Sequence, residues 1–488
     1  MHRDEQQRLL KLLEEGIKNN SSADAGGITR APVTDYTCTD LLAREQDVFF
    51  RNTPLLLGLT PDLPEPASYV ATSETGVPIL MTRDNEGQFH AFLNVCRHRG
   101  TQVIADGRGR QGRFTCPFHA WTYKNSGELI AINREEKFGC IDKGEHGLVE
   151  LPAAEKYGML WVRPQPGDPI DVDTCLGGLA PEMDSWNLPA HPFSDEQTIE
   201  ADINWKLAID TFGENYHFDV LHKETLAPEI FGNLQTSDAF GDNYRMTFMN
   251  KPGYKYVQDN GLDRDSWPFR WITLTVYFLY PNTILLLDPA GVDLLRMYPH
   301  PTDPSKSTTR HRYFAEPTMV EMRRKQAEER GDNRDANRFE GFNRIVVAED
   351  YHMAASTQKC AASGAQTHYT FGRNEPALRH YHNAHRRGLG LPELVLAAID
   401  DVVAAEGGET PEERRKLRGE LLGRICLSGG TSAMAGLPTR MENELKRTLK
   451  KESGMISMPE VKVAPPRQGD LTTWFGASML AGTSTFSE

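Results

Sequence analysis

The sequence predicts an α+β protein: a β-rich module built around metal-binding loops, then a larger domain in which helices accompany an extensive antiparallel sheet. Three observations carry this. Short runs of β character, YVAT, VPILMT and QFHAFLNV, follow one another from about residue 66. A second set of apolar and aromatic runs, WITLTVYFLY, NTILLL, RMYPHP and TRHRYFAEP, reads as the strands of a large antiparallel sheet. Helical patterning flanks that set, from Asn204 to about Lys223, near 317–331 and near 336–358.

In chain order, residues 3–18 place Leu9, Leu10, Leu12 and Leu13 among Glu, Lys and Gln, a surface helix whose apolar stripe packs on the body. The runs VPILMT and QFHAFLNV are joined at Asp84-Asn85-Glu86-Gly87, a turn sequence. Where these strands stop, two loops begin, Cys96 to Gly100 and Cys116 to Trp121. The Gly-rich stretch between them, with Arg108, Arg110 and Arg113, reads as a solvated loop. Residues 160–185 are rich in Pro, Gly and Asp and read as a connector. Thr410-Pro411-Glu412-Glu413 opens a further helix, with Thr as cap, Pro in the first turn and acids favoured by the helix dipole. The domain reading is therefore an N-terminal helix and arm over 1–40, a cluster module over 41–165, a catalytic domain over 166–390 and a C-terminal extension of unassigned role over 391–488.

Composition narrows the function. The chain has 488 residues, 39% of them hydrophobic, and a formal net charge of -14. This gives no general attraction to nucleic acid or anionic membrane, so neither is an expected partner. The amphipathic start lacks the apolar core of a signal peptide and no later run would span a bilayer, so a cytoplasmic protein is expected. The seven Cys are scattered and odd in number, which argues for reduced thiols and no structural disulfide.

Two of those Cys belong to a pattern: Cys96-x-His98 and, after 17 intervening residues, Cys116-x-x-His119. Two thiolates can hold one iron of a [2Fe-2S] cluster while two neutral imidazoles hold the other, which is a Rieske cluster. Zinc also accepts Cys2His2, but zinc fingers usually pair Cys with Cys and His with His in sequence, whereas each loop here carries one of each. Imidazole ligation raises the reduction potential, so a ferredoxin-type donor can reduce such a centre.

A second constellation is Glu214-x-x-His217-x-x-x-x-His222, with Glu349-Asp350 far downstream. Two His and one carboxylate suit the facial triad of a non-haem Fe(II), which leaves positions open for O2 and substrate. Residues five apart on an ideal helix are rotated by about 140°, so His217 and His222 can share an ion only across a bulge or helix end. Glu214 and His217, three apart, can hydrogen-bond as carboxylate to ligand. Glu349 is the adjacent alternative to Asp350. Phe212, Phe218, Val220 and Leu221 either shape an apolar pocket or pack as helix core, and Tyr216 is either a donor to the site or a packed ring.

NVCRHRG and CPFHAWTY, NWKLA followed by E-x-x-H-x-x-x-x-H, and E-D with Gln358 eight residues after the Asp together resemble the large (alpha) subunit of Rieske non-haem iron ring-hydroxylating oxygenases, over about residues 40–388. The resemblance implies that Cys96, His98, Cys116 and His119 hold the [2Fe-2S] cluster and that His217, His222 and Asp350 hold a mononuclear Fe(II). It implies that Glu214 links His217 to a cluster histidine, His119, of a neighbouring subunit in a head-to-tail homotrimer, with a small beta subunit a further possible component. Electrons would come ultimately from NAD(P)H through a ferredoxin and/or reductase, and the substrates would be O2 and a small organic molecule. The implied reaction is dihydroxylation of an aromatic or related compound. The alternative is monooxygenation, as in demethylation, and Glu rather than Asp at 214 is similar to relatives acting on quaternary ammonium compounds. Ile209-Asp210 stand where the family frequently has Glu-Asn. A reading of another class, a non-catalytic Rieske electron carrier, predicts two irons per chain where the oxygenase predicts three.

Overall fold

Pairing of the early strands explains where the metal residues come to lie. The computed structural model describes residues 1–330 and 338–390 and, beyond them, two short strands. The strands Phe89–Leu93, Ile79–Arg83, Ser68–Thr72 and Gly107–Arg110 are neighbours in that order, all antiparallel. Arg113–Thr115, Thr122–Lys124 and Leu129–Ala131 form a meander, and Leu55–Leu59 joins Ala153–Lys156 and Met159–Val162 in a third sheet. Leu80, Phe92, Phe114, Tyr123 and Leu129 pack together with Cys96 and Cys116 in one apolar cluster.

The Gly- and Arg-rich stretch is not a loop. Gly107–Arg110 is an edge strand, and the ring of Tyr69 lies where a side chain on Gly109 would stand. A glycine reads poorly as a strand residue until the aromatic that needs its empty side is known. Arg108 donates to Asp62 at 2.7 Å and its guanidinium lies 3.5 Å from the centre of the Phe193 ring, so this charge is tied into the protein.

The second half is a seven-stranded antiparallel sheet in the order Phe193–Ala201, Ser307–Ala315, Gly291–Pro299, Thr283–Asp288, Thr273–Leu279, Asn243–Met249, Asp238–Phe240. The N-terminal helix Arg3–Asn19 adds Leu9, Leu10 and Leu13, fully buried, to a core shared with Met249, Tyr277, Leu285, Leu294 and Phe314. Burial of each such side chain stabilises the fold by about 1.5–3 kcal/mol. The stretch read as a connector is more ordered than expected. It contains the helices Val172–Leu176, capped by Asp171, and Ala180–Ser185, whose Leu176 and Met183 enter the same core. The fold is thus α+β, with an antiparallel sheet carrying the larger half.

Two helical expectations change in form. The helix after Asn204 ends at Asp210, and residues 211–229 run on as turns. The helix expected near 336–358 is three segments: Arg338–Phe342, a π-helical stretch Asn343–Asp350, and Tyr351–Ala361. Asn204 caps the first helix through Lys206 N–H, its own N–H donates to Gln358 Oε1 at 3.0 Å, and Gln358 Nε2 donates to the Tyr36 carbonyl at 3.1 Å. That amide therefore ties the helix Trp205–Asp210 to the helix Tyr351–Ala361.

The charged helix Pro317–Arg330 also forms. The chain divides into two compact units, Met1–His382 and Asn383–Glu488. In the second, the described residues include the end of the helix Pro376–Leu389 and a parallel pair of strands, Ile425–Cys426 with Val463–Ala464. The helix expected at Thr410 lies outside the described residues. Among the described residues no helix is long and apolar enough to cross a membrane.

Lys206 and Glu45, 2% and 1% exposed, form a buried ion pair, and Glu45 also accepts from Trp205 Nε1 at 2.8 Å. Removing one partner strands a buried charge. Glu45→Ala should cost about 3–5 kcal/mol, whereas Glu45→Leu combined with Lys206→Met should cost far less; thermal unfolding of the two variants compares them directly.

Candidate metal centres

The first candidate centre sits on two loops, one leaving the strand Phe89–Leu93 and the other inside the hairpin that links Arg113–Thr115 to Thr122–Lys124. Each loop is closed by its own backbone. Cys96 N–H donates to Thr101 O and Gly100 N–H returns to Cys96 O, while Cys116 N–H donates to Trp121 O and Ala120 N–H to Cys116 O. Gly100 and Ala120 both take positive φ, 79° and 59°, to make these returns.

The four donors are unequal in setting. Cys96 and Cys116 are 3% and 2% exposed, and burial together with the neighbouring Cys96 pushes the Cys116 thiol up. His98 and His119 are only half-buried, with ring centres 4.6 Å apart. Trp121 stacks on His98 at 5.1 Å, and Phe118, beside His119, is exposed. Tyr123 Oη lies 3.3 Å from Cys96 Sγ and accepts from Arg97 N–H. Burial and the nearby His119 and Arg99 lower the His98 pKa, which keeps the imidazole neutral. His98 Nδ1 is buried with no hydrogen-bond partner. A buried imidazole nitrogen without a partner fits a metal ligand, and two buried thiols with two outward imidazoles fit a [2Fe-2S] cluster whose histidine-bound iron is nearer the surface.

At the second centre the predicted break between the histidines is present. Phe218 N–H bonds to Asn215 O, Leu221 N–H to His217 O and His222 N–H to Phe218 O, a chain of turns outside any continuous helix. Asn215, 1% exposed, holds this loop by donating to the carbonyls of Phe231 and Leu234. Gly213 packs so closely under Tyr381 and Leu378 that a side chain there would overlap both.

His217 Nε2 and His222 Nε2 are 3.1 Å apart, and Asp350 Oδ1 lies 3.2 Å from the first and 3.1 Å from the second. Among the described residues, this trio converges as a possible cation site. Behind it, each imidazole meets a carboxylate at Nδ1: Glu214 for His217, and Glu349, 2.6 Å away, for His222. Glu349, the sequence alternative to Asp350, is therefore turned away from the point of convergence, and Thr225 holds its Oε2 at 2.7 Å. Burial disfavours the charged form of both histidines but is outweighed, by Asp350 and Glu214 at His217, pushed up to about 9, and by Asp350 and Glu349 at His222. Three carboxylates around two imidazoles make a site that demands positive charge, which a divalent cation supplies.

A cavity of about 460 Å³ is lined by two of this trio, His222 and Asp350. Phe212 and Phe218 line it, as does Glu214. Val220, 83% exposed, and Leu221 do not, and Tyr216 is 63% exposed. Sequence reasoning missed the roles of Glu349 and Thr225; adjacency of Glu349 to Asp350 was the one available signal. It also missed Tyr123, for which a strand residue far from either Cys motif offered none.

Residues 54–148 match the family described as Rieske [2Fe-2S] domain, and residues 193–390 that described as Ring hydroxylating alpha subunit (catalytic domain). A third match, described as Actin, spans 344–488 and overlaps the second. The chain is 30% identical over 197 residues to the glycine betaine monooxygenase oxygenase subunit of Chromohalobacter salexigens, covering 40% of this chain and 43% of that protein. It is 32% identical over 208 residues to the chlorobenzene dioxygenase subunit alpha of Cupriavidus sp., covering 41% and 45%. The matched parts thus span less than half the length of these relatives. In fold it is similar to the quaternary ammonium Rieske monooxygenase CntA in complex with L-carnitine, with a TM-score of 0.59 and 18% identity over 74% of this chain and 94% of that one.

Glu349→Ala should weaken iron binding at the second centre by about 10–100-fold, because His222 loses its orienting partner, while the first centre keeps its visible absorbance. Iron retained against a graded chelator measures this; unchanged retention would exclude the orienting role.

Proposed function

This chain belongs to the Rieske ring-hydroxylating oxygenase alpha-subunit family, and we propose that it is the terminal oxygenase component that uses O2 and externally supplied electrons to hydroxylate a small organic substrate. The observation that carries this reading is the convergence of His217, His222 and Asp350 on one point, with His222 and Asp350 in the lining of a largely apolar cavity. On this reading residues 41–165 are the electron-receiving module, with the cluster held by Cys96, His98, Cys116 and His119, and residues 166–390 are the catalytic domain. When bound, the cluster supplies one-electron transfer and the mononuclear Fe(II) supplies activation of O2. Electrons come ultimately from NAD(P)H through a ferredoxin and/or reductase, in the cytoplasm.

The protein's own contribution is geometric. Glu214 keeps the His217 proton on Nδ1 and Glu349 keeps that of His222 there, so both Nε2 lone pairs face inward. Glu214 also accepts from the backbone N–H groups of Tyr216 and His217, which makes three of the about four lone-pair sites of a carboxylate. The fourth is available to an N–H from outside the subunit. In a head-to-tail homotrimer, His119 of a neighbouring subunit would donate there, completing a bonded electron route. The half-buried cluster histidines and the exposed Phe118 support such a contact.

Dihydroxylation of an aromatic ring suits the apolar walls. A second reading, monooxygenation of a charged substrate with loss of a methyl group, is favoured by Asp288 and Arg338, which line the same cavity. Reconstitution with a ferredoxin and reductase under labelled O2 tests both. The oxygenase reading expects substrate-dependent O2 uptake with label in product, two atoms for dihydroxylation and one for monooxygenation. Reduction of the cluster with no oxygenated product from a panel of aromatic and ammonium compounds would leave only an electron carrier.

Glu214→Gln should leave both centres filled but slow turnover by about 10–100-fold, since an amide has fewer acceptor sites and no charge. Iron analysis and single-turnover kinetics separate the two effects, and full activity would remove the bridge.

A further inference from the structure

Glu349 and Asp350 are neighbours in the chain, yet they reach opposite sides of one imidazole. Asp350 Oδ1 lies 3.1 Å from His222 Nε2, and Glu349 Oε2 lies 2.6 Å from His222 Nδ1. Which acid faces the point of convergence is therefore a matter of register in the stretch Asn343–Asp350. That stretch is wound as a π-helix, and at its end Tyr351 N–H bonds to Val346 O, five residues back. An α turn closes the same loop with one residue fewer. Relaxation of one turn to the commoner α form would shift the register by one residue and bring Glu349 to the place that Asp350 now takes. The π-helix is the rarer form, so it needs support from outside itself.

Two contacts supply that support, one at each end. At the entry, the half-buried Asn343 and Gln197 exchange amide hydrogen bonds: Gln197 Nε2 donates to Asn343 Oδ1 at 3.0 Å, and Asn343 Nδ2 donates to Gln197 Oε1 at 3.0 Å. Phe342, one residue earlier, packs its ring 4.2 Å from that of His311. At the exit, Tyr351 Oη and Thr309 Oγ1 lie 2.7 Å apart, with Tyr351 4% and Thr309 0% exposed.

Both contacts are made to one surface. Gln197 lies on the strand Phe193–Ala201 and Thr309 on its neighbour Ser307–Ala315, where Gln197 pairs with His311 and Ile199 with Thr309. Paired residues, and residues two apart on a strand, share a face, so Gln197, His311 and Thr309 stand on the same side of the sheet. The spacing between the two anchor points is thus set by the sheet and not by the segment it holds. A reciprocal amide pair is directional at both partners, and a slip of one residue breaks both bonds. Apolar contact alone would resist such a slip weakly, because it has no direction.

We propose that Gln197 with Asn343 and Thr309 with Tyr351 are register pins, positioning residues that hold the π-helical stretch so that Asp350, and not Glu349, faces an ion shared with His217 and His222. The pins rest on the reading of this centre as the iron site of an oxygenase, but they are tested by iron binding and not by turnover. The full-length protein, loaded anaerobically with Fe(II), is challenged with a graded chelator while the visible absorbance of the first centre is followed. Tyr351→Phe combined with Thr309→Val removes both hydroxyls and strands no polar group, so thermal unfolding should stay near that of the unaltered protein. Iron at the second centre should nonetheless be held about tenfold more weakly. Asn343→Leu, which leaves Gln197 Nε2 its contact of 3.1 Å with His311 Nδ1, should weaken iron in the same way.

The decisive comparison is which acid the iron depends on. In the unaltered protein Asp350→Ala should cost iron retention about tenfold more than Glu349→Ala, whereas in the Tyr351→Phe, Thr309→Val background the two should come within about threefold of each other. Should that background not fold, Asn343→Leu carries the comparison. Iron held as firmly without the pins as with them overturns the proposal. So does a dependence on Asp350 that survives their loss, even where stability and iron fall together, because the contacts would then serve the fold alone. A second centre that takes no iron in the unaltered protein overturns the oxygenase reading and the pins with it. Pin-dependent iron in a protein that shows no substrate-dependent O2 uptake would count against the oxygenase reading and leave the pins standing.

Discussion

Two imidazoles can bind one ion only if both turn the same nitrogen inward, and here that orientation is imposed by carboxylates at the opposite nitrogen of each ring. Glu214 does this for His217 within a single turn of chain. Glu349 does it for His222 from more than a hundred residues away, on the segment that also delivers Asp350. Adjacent residues on a regular helix diverge by about 100°, so one segment serving both faces of the same imidazole is a demanding arrangement. The π-helical stretch Asn343–Asp350 is where the chain meets that demand, in keeping with the frequent use of π turns at functional sites. Gln358, one helix further on, ties the segment to Asn204 and Tyr36, so the two halves of the site cannot slide past each other without breaking buried hydrogen bonds.

The cluster module solves a different problem, how to bury sulfur and still pass electrons. Its thiols belong to the same apolar cluster as Phe92, Phe114 and Leu129, and Tyr123 offers a hydroxyl to Cys96 from inside that core. Hydrogen bonds to cluster sulfurs and low solvent exposure are levers on reduction potential. The imidazoles lie on the outer side, beside the exposed Phe118, where a partner can approach. In the proposed cluster, redox tuning and access would fall on opposite sides of the four-donor set.

What was legible in the sequence is what local chemistry dictates. Cys96, His98, Cys116 and His119 announce themselves by donor type and spacing, and the five-residue separation of His217 and His222 implied a broken helix before any fold was known. The β runs predict their strands because alternation and β-branched residues act locally. What escaped depends on distant partners. Gly107–Arg110 becomes a strand because Tyr69 needs the space above Gly109. The helix after Asn204 ends at Asp210, whose side chain accepts from Tyr36 Oη at 2.7 Å and meets His382 Nε2 at 2.9 Å, and the chain then turns at Gly213, packed under Tyr381 and Leu378. Glu349 looked like a competitor of Asp350 because sequence adjacency carries no direction. The backbone of the π segment supplies it.

The polar residues of the cavity wall can be sorted by whether their bonding capacity is already spent. Asn250 donates to Trp271 O and accepts from Gly253 N–H, and Thr273 donates to Phe269 O, so both face a substrate as nearly apolar surface. Glu214 is committed to His217 and the turn that bears it. These groups impose little demand on what fills the space, since their desolvation is compensated within the chain. Asp288 accepts from Ala290 and Gly291 N–H and from the Arg338 guanidinium, so three of its about four lone-pair sites are likewise engaged and its charge faces a cation of the chain itself.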